Sequence, residues 1–343
     1  MYNYQFHLKD IYNPRPIYSG TSSFFVCKKV NNKYYFTEVT AENQEVITRI
    51  NNVYDFTQID DEHIILKEDQ RNLSLIFNTK SRLIEREIVG VKANKVLDEN
   101  RITGYYRGKD GDYYVVLNHY TNDLELSIPV SKGSYLFYND NLIGVERSSV
   151  FLRNRNGIDV WTLDTREIGY FVDEIFGRRP GKVAAVEVWN DKLIVLTGKK
   201  VLWLEMETGQ LLWELETGQL NSWIILEDDI AYVNYLRINL QTRQIEESLY
   251  MKGGILYKDT PTEKYTIRVE YFVKPTLHDD KLWAIANNSY GRYAVAIDKL
   301  TGEYVWYYLL DTDGNLSAPK FHSNKMYVWD DTQKLHVFED KDE

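Results

Sequence analysis

The residues from which this chain could build chemistry are few and scattered. Its six histidines are His7, His63, His119, His278, His322 and His336. No two of them stand in an H-x-x-x-H or H-E-x-x-H arrangement, which would put two imidazoles on one helix face to hold zinc. His63, His278 and His322 fall in or beside acidic turns, where a solvated polar residue is the ordinary occupant. Cys27 is the only cysteine, so no disulfide can form within the chain. A G-x-S-x-G nucleophile elbow is absent, and so is a glycine-rich loop ending in Lys that would cradle a phosphate. Asp311-Thr312-Asp313-Gly314-Asn315 resembles the start of an oxygen-ligand calcium loop, but no Glu closes it at the required distance and no flanking helix is evident. The expectation is a chain that is not an enzyme, with no catalytic residue, no metal and no cofactor.

Charge says more. The formal net charge is −10, which argues against general binding of nucleic acid, since that needs a basic footprint. Yet Lys and Arg gather in particular loops: Lys67 to Arg71, Arg107 to Asp110, Arg147 through Arg155, Arg178 to Lys182, and Lys199-Lys200. Arg forms paired bonds to carboxylates and is enriched at interface centres. Arg153, Arg155, Arg178, Arg179 and Lys182 are therefore the expected charged contacts to a partner, with Phe176 as an apolar anchor beside them.

Such loops need a rigid frame, and two repeated signals supply one. Leu202 to Trp213 and Val295 to Trp306 each read as an alternating apolar strand, a turn around Thr-Gly and a second strand ending on Trp. Gly supplies the positive φ of a tight hairpin. The second signal is an acidic or amide turn between apolar strands, as at Ile59–Ile64, Leu97–Ile102, Tyr138–Leu142, Trp189–Leu193, Leu226–Ile230, Leu277–Leu282 and Phe321–Met326. Asp and Asn tolerate the left-handed region and bond their own backbone there. With Ile17 to Gly20 as a degenerate first copy, the markers start at 17, 59, 97, 138, 189, 226, 277 and 321. A four-stranded propeller blade occupies about 40–45 residues. The two long intervals contain insertions, Asp173 to Gly181 and Met251 to Glu263.

Calling the strands of each unit a to d, the acidic turn joins a to b and the Thr-Gly turn joins c to d. Degenerate c–d turns are expected at Thr40–Asn43, Asn78–Ser81, Tyr120–Asp123, Asp164–Glu167 and Gln241–Gln244. The last unit ends at Leu335 to Phe338 without a d strand, which Tyr4 to Leu8 would provide, closing the sheet edge. The predicted fold is all-β: residues 1–343 as a single β-propeller domain of eight four-stranded blades, with seven as the alternative. In this arrangement a–b and c–d turns share one end of each blade, while b–c and d–a connections share the other. The first end reads as acidic and the second as locally basic.

The run Ala296-Ile297-Asp298-Lys299-Leu300-Thr301-Gly302-Glu303-Tyr304-Val305-Trp306, followed by Ser317-Ala318-Pro319 and Lys325-Met326-Tyr327-Val328, resembles the repeat of the quinoprotein-like (PQQ-type) β-propellers. Two units match well; the other six match in hydrophobic pattern and turn position. The resemblance implies that Trp213 and Trp306 pack between blades. It implies no activity. The dehydrogenases of that superfamily use vicinal cysteines and a metal-binding acid, and a chain with one cysteine cannot assemble that site.

The N-terminal stretch Met1 to Asp10 has no basic start followed by an apolar run, and no stretch approaches the roughly 18 apolar residues of a membrane span. The expectation is a cytoplasmic monomer that binds another protein and neither nucleic acid nor membrane. Its most specific version is a bacterial immunity protein that neutralises a toxin domain. The alternatives are an assembly scaffold, similar to the propeller lipoprotein of outer-membrane protein insertion, or a propeller that binds carbohydrate or another small ligand.

Overall fold

A computed structural model describes residues 2–340 apart from 10, 20–22, 41–45, 69–72, 132, 174, 176, 250–253, 258–263 and 323. It is an all-β propeller of eight four-stranded antiparallel blades. The chain divides into two compact units, Met1–Ser131 with Thr312–Glu343, and Lys132–Asp311. Each holds four blades.

In the first unit, β1 (Tyr2–Leu8) precedes blade 1, formed by β2 (Ile11–Ser19), β3 (Ser23–Val30), β4 (Lys33–Thr40) and β5 (Val46–Asn51). Blade 2 is β6 (Val53–Gln58), β7 (His63–Glu68), β8 (Leu73–Asn78) and β9 (Leu83–Val89). Blade 3 is β10 (Val91–Val96), β11 (Arg101–Arg107), β12 (Asp112–Asn118) and β13 (Leu124–Val130). In the second unit, blade 4 is β14 (Ser134–Tyr138), β15 (Asn141–Glu146), β16 (Ser149–Arg153) and β17 (Asp159–Asp164). A one-turn helix α1 (Thr165–Ile168) and a hairpin of β18 (Phe171–Asp173) and β19 (Gly177–Arg179) lead to blade 5, which is β20 (Val183–Trp189), β21 (Lys192–Thr197), β22 (Lys200–Glu205) and β23 (Leu211–Glu216).

Blade 6 is β24 (Ile224–Glu227), β25 (Ile230–Val233), β26 (Leu236–Asn239) and β27 (Gln244–Ser248). Blade 7 has its innermost strand in two pieces: β29 (Lys264–Val269), hairpinned to β28 (Gly254–Tyr257), and β30 (Thr276–His278). Both pieces pair with β31 (Lys281–Asn288), which continues to β32 (Gly291–Asp298) and β33 (Tyr304–Leu310). Blade 8, back in the first unit, is β34 (Lys320–His322), β35 (Lys325–Trp329) and β36 (Leu335–Asp340). Its fourth strand is β1, with Tyr4 opposite Phe338, His7 opposite His336 and Leu8 opposite Leu335. The expected closure of the last blade is therefore present, and the blade count is eight.

Local chemistry explains the turns. Asn139-Asp140, Asn190-Asp191 and Asp279-Asp280 all have both residues at φ between +44° and +59°, the two-residue turn whose twist matches the flanking strands. In the longer turns Asp60 accepts from the backbone N–H groups of Glu62 and His63, and Asp98 from those of Asn100 and Arg101. The c–d turns share one device. A side-chain oxygen of Asn78, Asn118, Asn239 or Asp298 accepts from the two backbone N–H groups two and three residues on. A left-handed residue follows, Arg82, Asn122, Arg243 or Gly302. The Thr-Gly signature is one variant of this turn.

One expected turn is misplaced. Asp164–Glu167 does not join c to d in the fourth unit; it caps and begins α1, after β17 has ended. The c–d turn there is Asn154–Ile158, where the Asn154 side chain accepts from the N–H groups of Asn156 and Ile158. The Thr165 that resembled a Thr-Gly position is buried within the d–a connection. The other turns fall as expected, except that 20–22 and 41–45, and residue 323 in the turn of blade 8, lie outside the described residues.

Strand b of blade 5, Lys192–Thr197, is buried on both faces because that blade packs against blade 4 on one side and blade 6 on the other. The core is thus a series of inter-blade clusters. Phe25, Cys27 and Phe36 of blade 1 meet Phe56, Ile64 and Phe77 of blade 2. Trp203 and Val201 of blade 5 meet Ile224, Val233 and Ile238 of blade 6. Trp213 packs half-buried against that second cluster, its ring 4.6 Å from Trp203. Trp306 lies 5.4 Å from Trp283 within blade 7. Four other tryptophans tether successive elements by donating Nε1–H to a carbonyl: Trp161 to Met206, Trp189 to Asp228, Trp223 to Tyr271 and Trp329 to Ile11, at 2.8–3.0 Å.

Candidate functional site: a basic cleft beside the hairpin

The connection between β17 and β20 is anchored at both ends. Asp164 accepts from the Arg166 backbone N–H at 2.9 Å, and its side-chain bond to the Arg166 guanidinium holds its carboxyl down to about 2. The buried Thr165 donates Oγ1–H to the Gly181 carbonyl at 2.9 Å, tying the start of the connection to its end. Gly181 leaves no room for more, since a Cβ there would lie 2.4 Å from the Thr165 carbonyl oxygen. Gly198, at φ +52°, brings the b–c turn of blade 5 against the base of the hairpin; a Cβ there would lie 2.5 Å from the Gly169 oxygen and 2.8 Å from Phe171. The hairpin therefore stands on a fixed base. Its outer positions are apolar: Val172 is 64% and Ile175 83% exposed.

Between the hairpin, Arg147, the start of β20 and Leu220-Asn221 lies a cleft of about 600 Å³. Arg147, Arg179 and Lys182 line it against a single carboxylate, Asp173. A shallower depression of about 450 Å³ shares Arg147, Pro180 and Lys182 and brings in Glu146 and Arg166 with its partner Asp164. Arg147 and Lys182 are exposed and form no ion pair among the described residues. On the far rim, Tyr271 donates its hydroxyl to the Leu220 carbonyl at 3.0 Å while its own carbonyl accepts from Trp223, and the next residue, Phe272, is exposed. A concave, net-positive surface bordered by exposed apolar side chains is suited to an acidic partner with apolar contacts.

The expected partner residues divide. Arg179 and Lys182 line the cleft. Arg178 points elsewhere, pairing with Glu167 at 2.5 Å and lying 4.4 Å over the Tyr170 ring. Arg153 and Arg155 do not converge with these. Arg153 ends strand c, pairs with Asp159 at 2.6 Å and stacks on Phe151, and Arg155 is exposed in the c–d turn, at the opposite end of blade 4 from Arg147. The reason is the misplaced turn: once Asn154–Ile158 joins c to d, both arginines belong with the a–b turns. Phe176 lies outside the described residues. Arg147, Leu220, Asn221 and Phe272 were not selected from the sequence.

The other groups weighed from the sequence lie elsewhere in the fold. Among the described residues no group of three or more His, Cys, Asp or Glu could hold a metal ion. In the segment resembling a calcium loop, Thr312 donates to Asp330 at 2.7 Å, and Asn315 donates to Asp331 through its backbone (2.8 Å) and its amide (2.7 Å). Burial pushes the Cys27 thiol well up, reinforced by nearby Asp55. Burial also pushes the His119, His322 and His336 imidazoles below their ordinary value, although Asp330 beside His336 opposes the shift. No helix among the described residues is long and apolar enough to cross a membrane.

No family model and no curated protein matches this chain. Solved structures do. The computationally designed Ika8 protein is similar over 96% of this chain and 97% of its own, at 11% identity and a TM-score of 0.61. BamB from Moraxella catarrhalis, a PQQ-like β-propeller, is similar over 99% of this chain and 100% of its own, at 9% identity and a TM-score of 0.59. Saccharomyces cerevisiae Sqt1 is similar over 98% and 97%, at 11% identity and a TM-score of 0.59. At these identities the likeness is one of fold.

Proposed function

We propose that this chain is a non-enzymatic, protein-binding β-propeller that engages an acidic partner through the basic cleft of its second unit. The observation that carries this reading is the cleft itself: Arg147, Arg179 and Lys182 face one carboxylate, in a protein of net charge −10. A local reversal of sign on a fixed scaffold steers and orients an oppositely charged partner. Membership of the quinoprotein-like superfamily belongs to the same proposal, supported by the Thr-Gly turns of blades 5 and 7 and by the likeness to BamB. A cytoplasmic, monomeric state completes it. A toxin domain is one acidic partner that would fit; nothing about the cleft singles it out from others, so the proposal is stated for an acidic protein surface.

The test compares two charge reversals against an acidic protein recovered by affinity capture. Arg147→Glu with Lys182→Glu should weaken binding by about ten-fold or more and flatten its salt dependence. Arg153→Glu with Arg155→Glu, at the opposite end of blade 4, should leave binding unchanged. The reverse pattern, with both variants folded, would move the interface to the acidic-turn end.

A further inference from the structure

Each blade ends on an outermost strand with one edge that no described strand pairs with, a template for an added strand unless it is protected. Seven of the eight are protected. β9 exposes Glu85 and Glu87, β17 Asp159 and Asp164, and β23 Glu214 and Glu216; β1, β5, β13 and β27 also expose Gln, Arg, Glu or Pro. β33 of blade 7 is the exception. Its sequence, Tyr304-Val305-Trp306-Tyr307-Tyr308-Leu309-Leu310, has no charge, amide or proline. Tyr304, Trp306 and Tyr308 are half-buried, while Val305, Tyr307 and Leu309 are 46%, 46% and 48% exposed. One side of β33 pairs with β32; the other pairs with no described strand.

The ends of this strand are acidic. Glu303 precedes it, Asp311 follows it, and both are exposed. That decides the occupant. If a second copy paired antiparallel so that Val305 met Leu309 and Tyr307 met itself, Glu303 would stand opposite Asp311 at both ends. A parallel pair in register would set Glu303 on Glu303. Like charges directly opposite are destabilising. We propose that β33 is a second docking edge, and that its occupant is an extended segment of another protein, apolar at alternate positions and basic at both ends. Backbone hydrogen bonds and the row Val305, Tyr307 and Leu309 would supply the affinity. The flanking acids, each weak at an exposed site, would select the partner. This edge is separate from the basic cleft and stands or falls independently of it.

The probe is a fluorescent synthetic peptide of about eleven residues, enough to span Glu303 to Asp311 at roughly 3.3 Å per residue. It carries Lys at both ends and Val, Tyr and Leu at alternate positions between them. Binding followed by anisotropy should be about ten-fold tighter than for the same peptide with Glu ends, or with a central Pro that removes backbone donors. On the protein side, Tyr307→Lys should weaken the Lys-ended peptide by about ten-fold, and so should Glu303→Lys with Asp311→Lys. Amides of residues 304–310 should exchange more slowly in the complex. Absence of binding at millimolar peptide would overturn the proposal, as would binding indifferent to Tyr307→Lys. A dimer that Tyr307→Lys dissociates would assign the edge to a second copy instead. The two control peptides test the wild-type protein directly, so a variant that misfolds leaves the outcome readable.

Discussion

The pentapeptide Glu-Thr-Gly-Gln-Leu occurs twice, at Glu207–Leu211 and Glu216–Leu220, and the two glycines share nearly the same backbone, φ +68° at Gly209 and +71° at Gly218. Their surroundings differ. A Cβ on Gly218 would meet nothing within 4 Å, whereas one on Gly209 would sit 2.5 Å from the Trp161 ring. Gly218→Ala therefore feels only the left-handed backbone, about 1 kcal/mol after allowing for the reduced freedom of the unfolded chain. Gly209→Ala incurs that same amount and must also displace an indole whose Nε1–H is bonded to the Met206 carbonyl at 2.8 Å. Losing that bond costs about 1 kcal/mol, and repacking the ring about 1–2 more. The expected destabilisation is about 3–4 kcal/mol at Gly209 against about 1 at Gly218. Urea unfolding followed by circular dichroism measures both, and both sites lie in blade 5 or just beyond it. In a Trp161→Ala background the two alanine substitutions should cost the same. Equal costs in the wild-type background would refute the steric reasoning.

Trp213→Ala should destabilise by about 2 kcal/mol, less than the roughly 3–5 of a fully buried Trp; a loss of binding without any loss of stability would mark the ring as a contact residue instead. Deleting residues 1–8 removes the buried Tyr2 and Leu8 side chains, worth about 3–6 kcal/mol together, and leaves the outer edge of β36 without its backbone partner while β35 still pairs with the other. Limited proteolysis should then open blade 8 first, and unchanged resistance would contradict the closure. The third concerns pH. His119, His322 and His336 are held neutral by burial, with folded-state values below the unfolded one. Their contribution is complete above the unfolded value of about 6.5 and is lost as pH falls from there. The urea midpoint should drop between pH 7 and pH 5; a constant or rising midpoint would be inconsistent with neutral buried imidazoles.

The fold was legible because its turns are local. Asn-Asp and Asp-Asp pairs at φ near +50° are recognisable from residue type alone, and among the described residues six of the acidic turns fall where their composition places them. The partner strand for β36 was legible too, because an apolar run with no unit of its own must cover an open edge. What failed was telling identical local sequence apart by context. Asp164-Thr165-Arg166-Glu167 resembles a c–d turn, but the same Asp that would initiate a turn also caps a helix, and α1 took it.

That one-element error explains most of what the candidate site lacked. With the fourth unit's c–d turn placed ten residues late, Arg153 and Arg155 were assigned to the wrong end of their blade, and Arg147 at the right end was passed over. The far rim was hidden for another reason. Leu220 follows the second Glu-Thr-Gly-Gln-Leu, and Phe272 interrupts a strand, so neither belongs to a repeated position. Repeats reveal the frame because every blade must solve the same packing problem. A binding surface is made where the blades differ, and those differences show in sequence only as departures: a d–a connection lengthened by a hairpin, a strand a split in two, and one outermost strand without a charge, amide or proline.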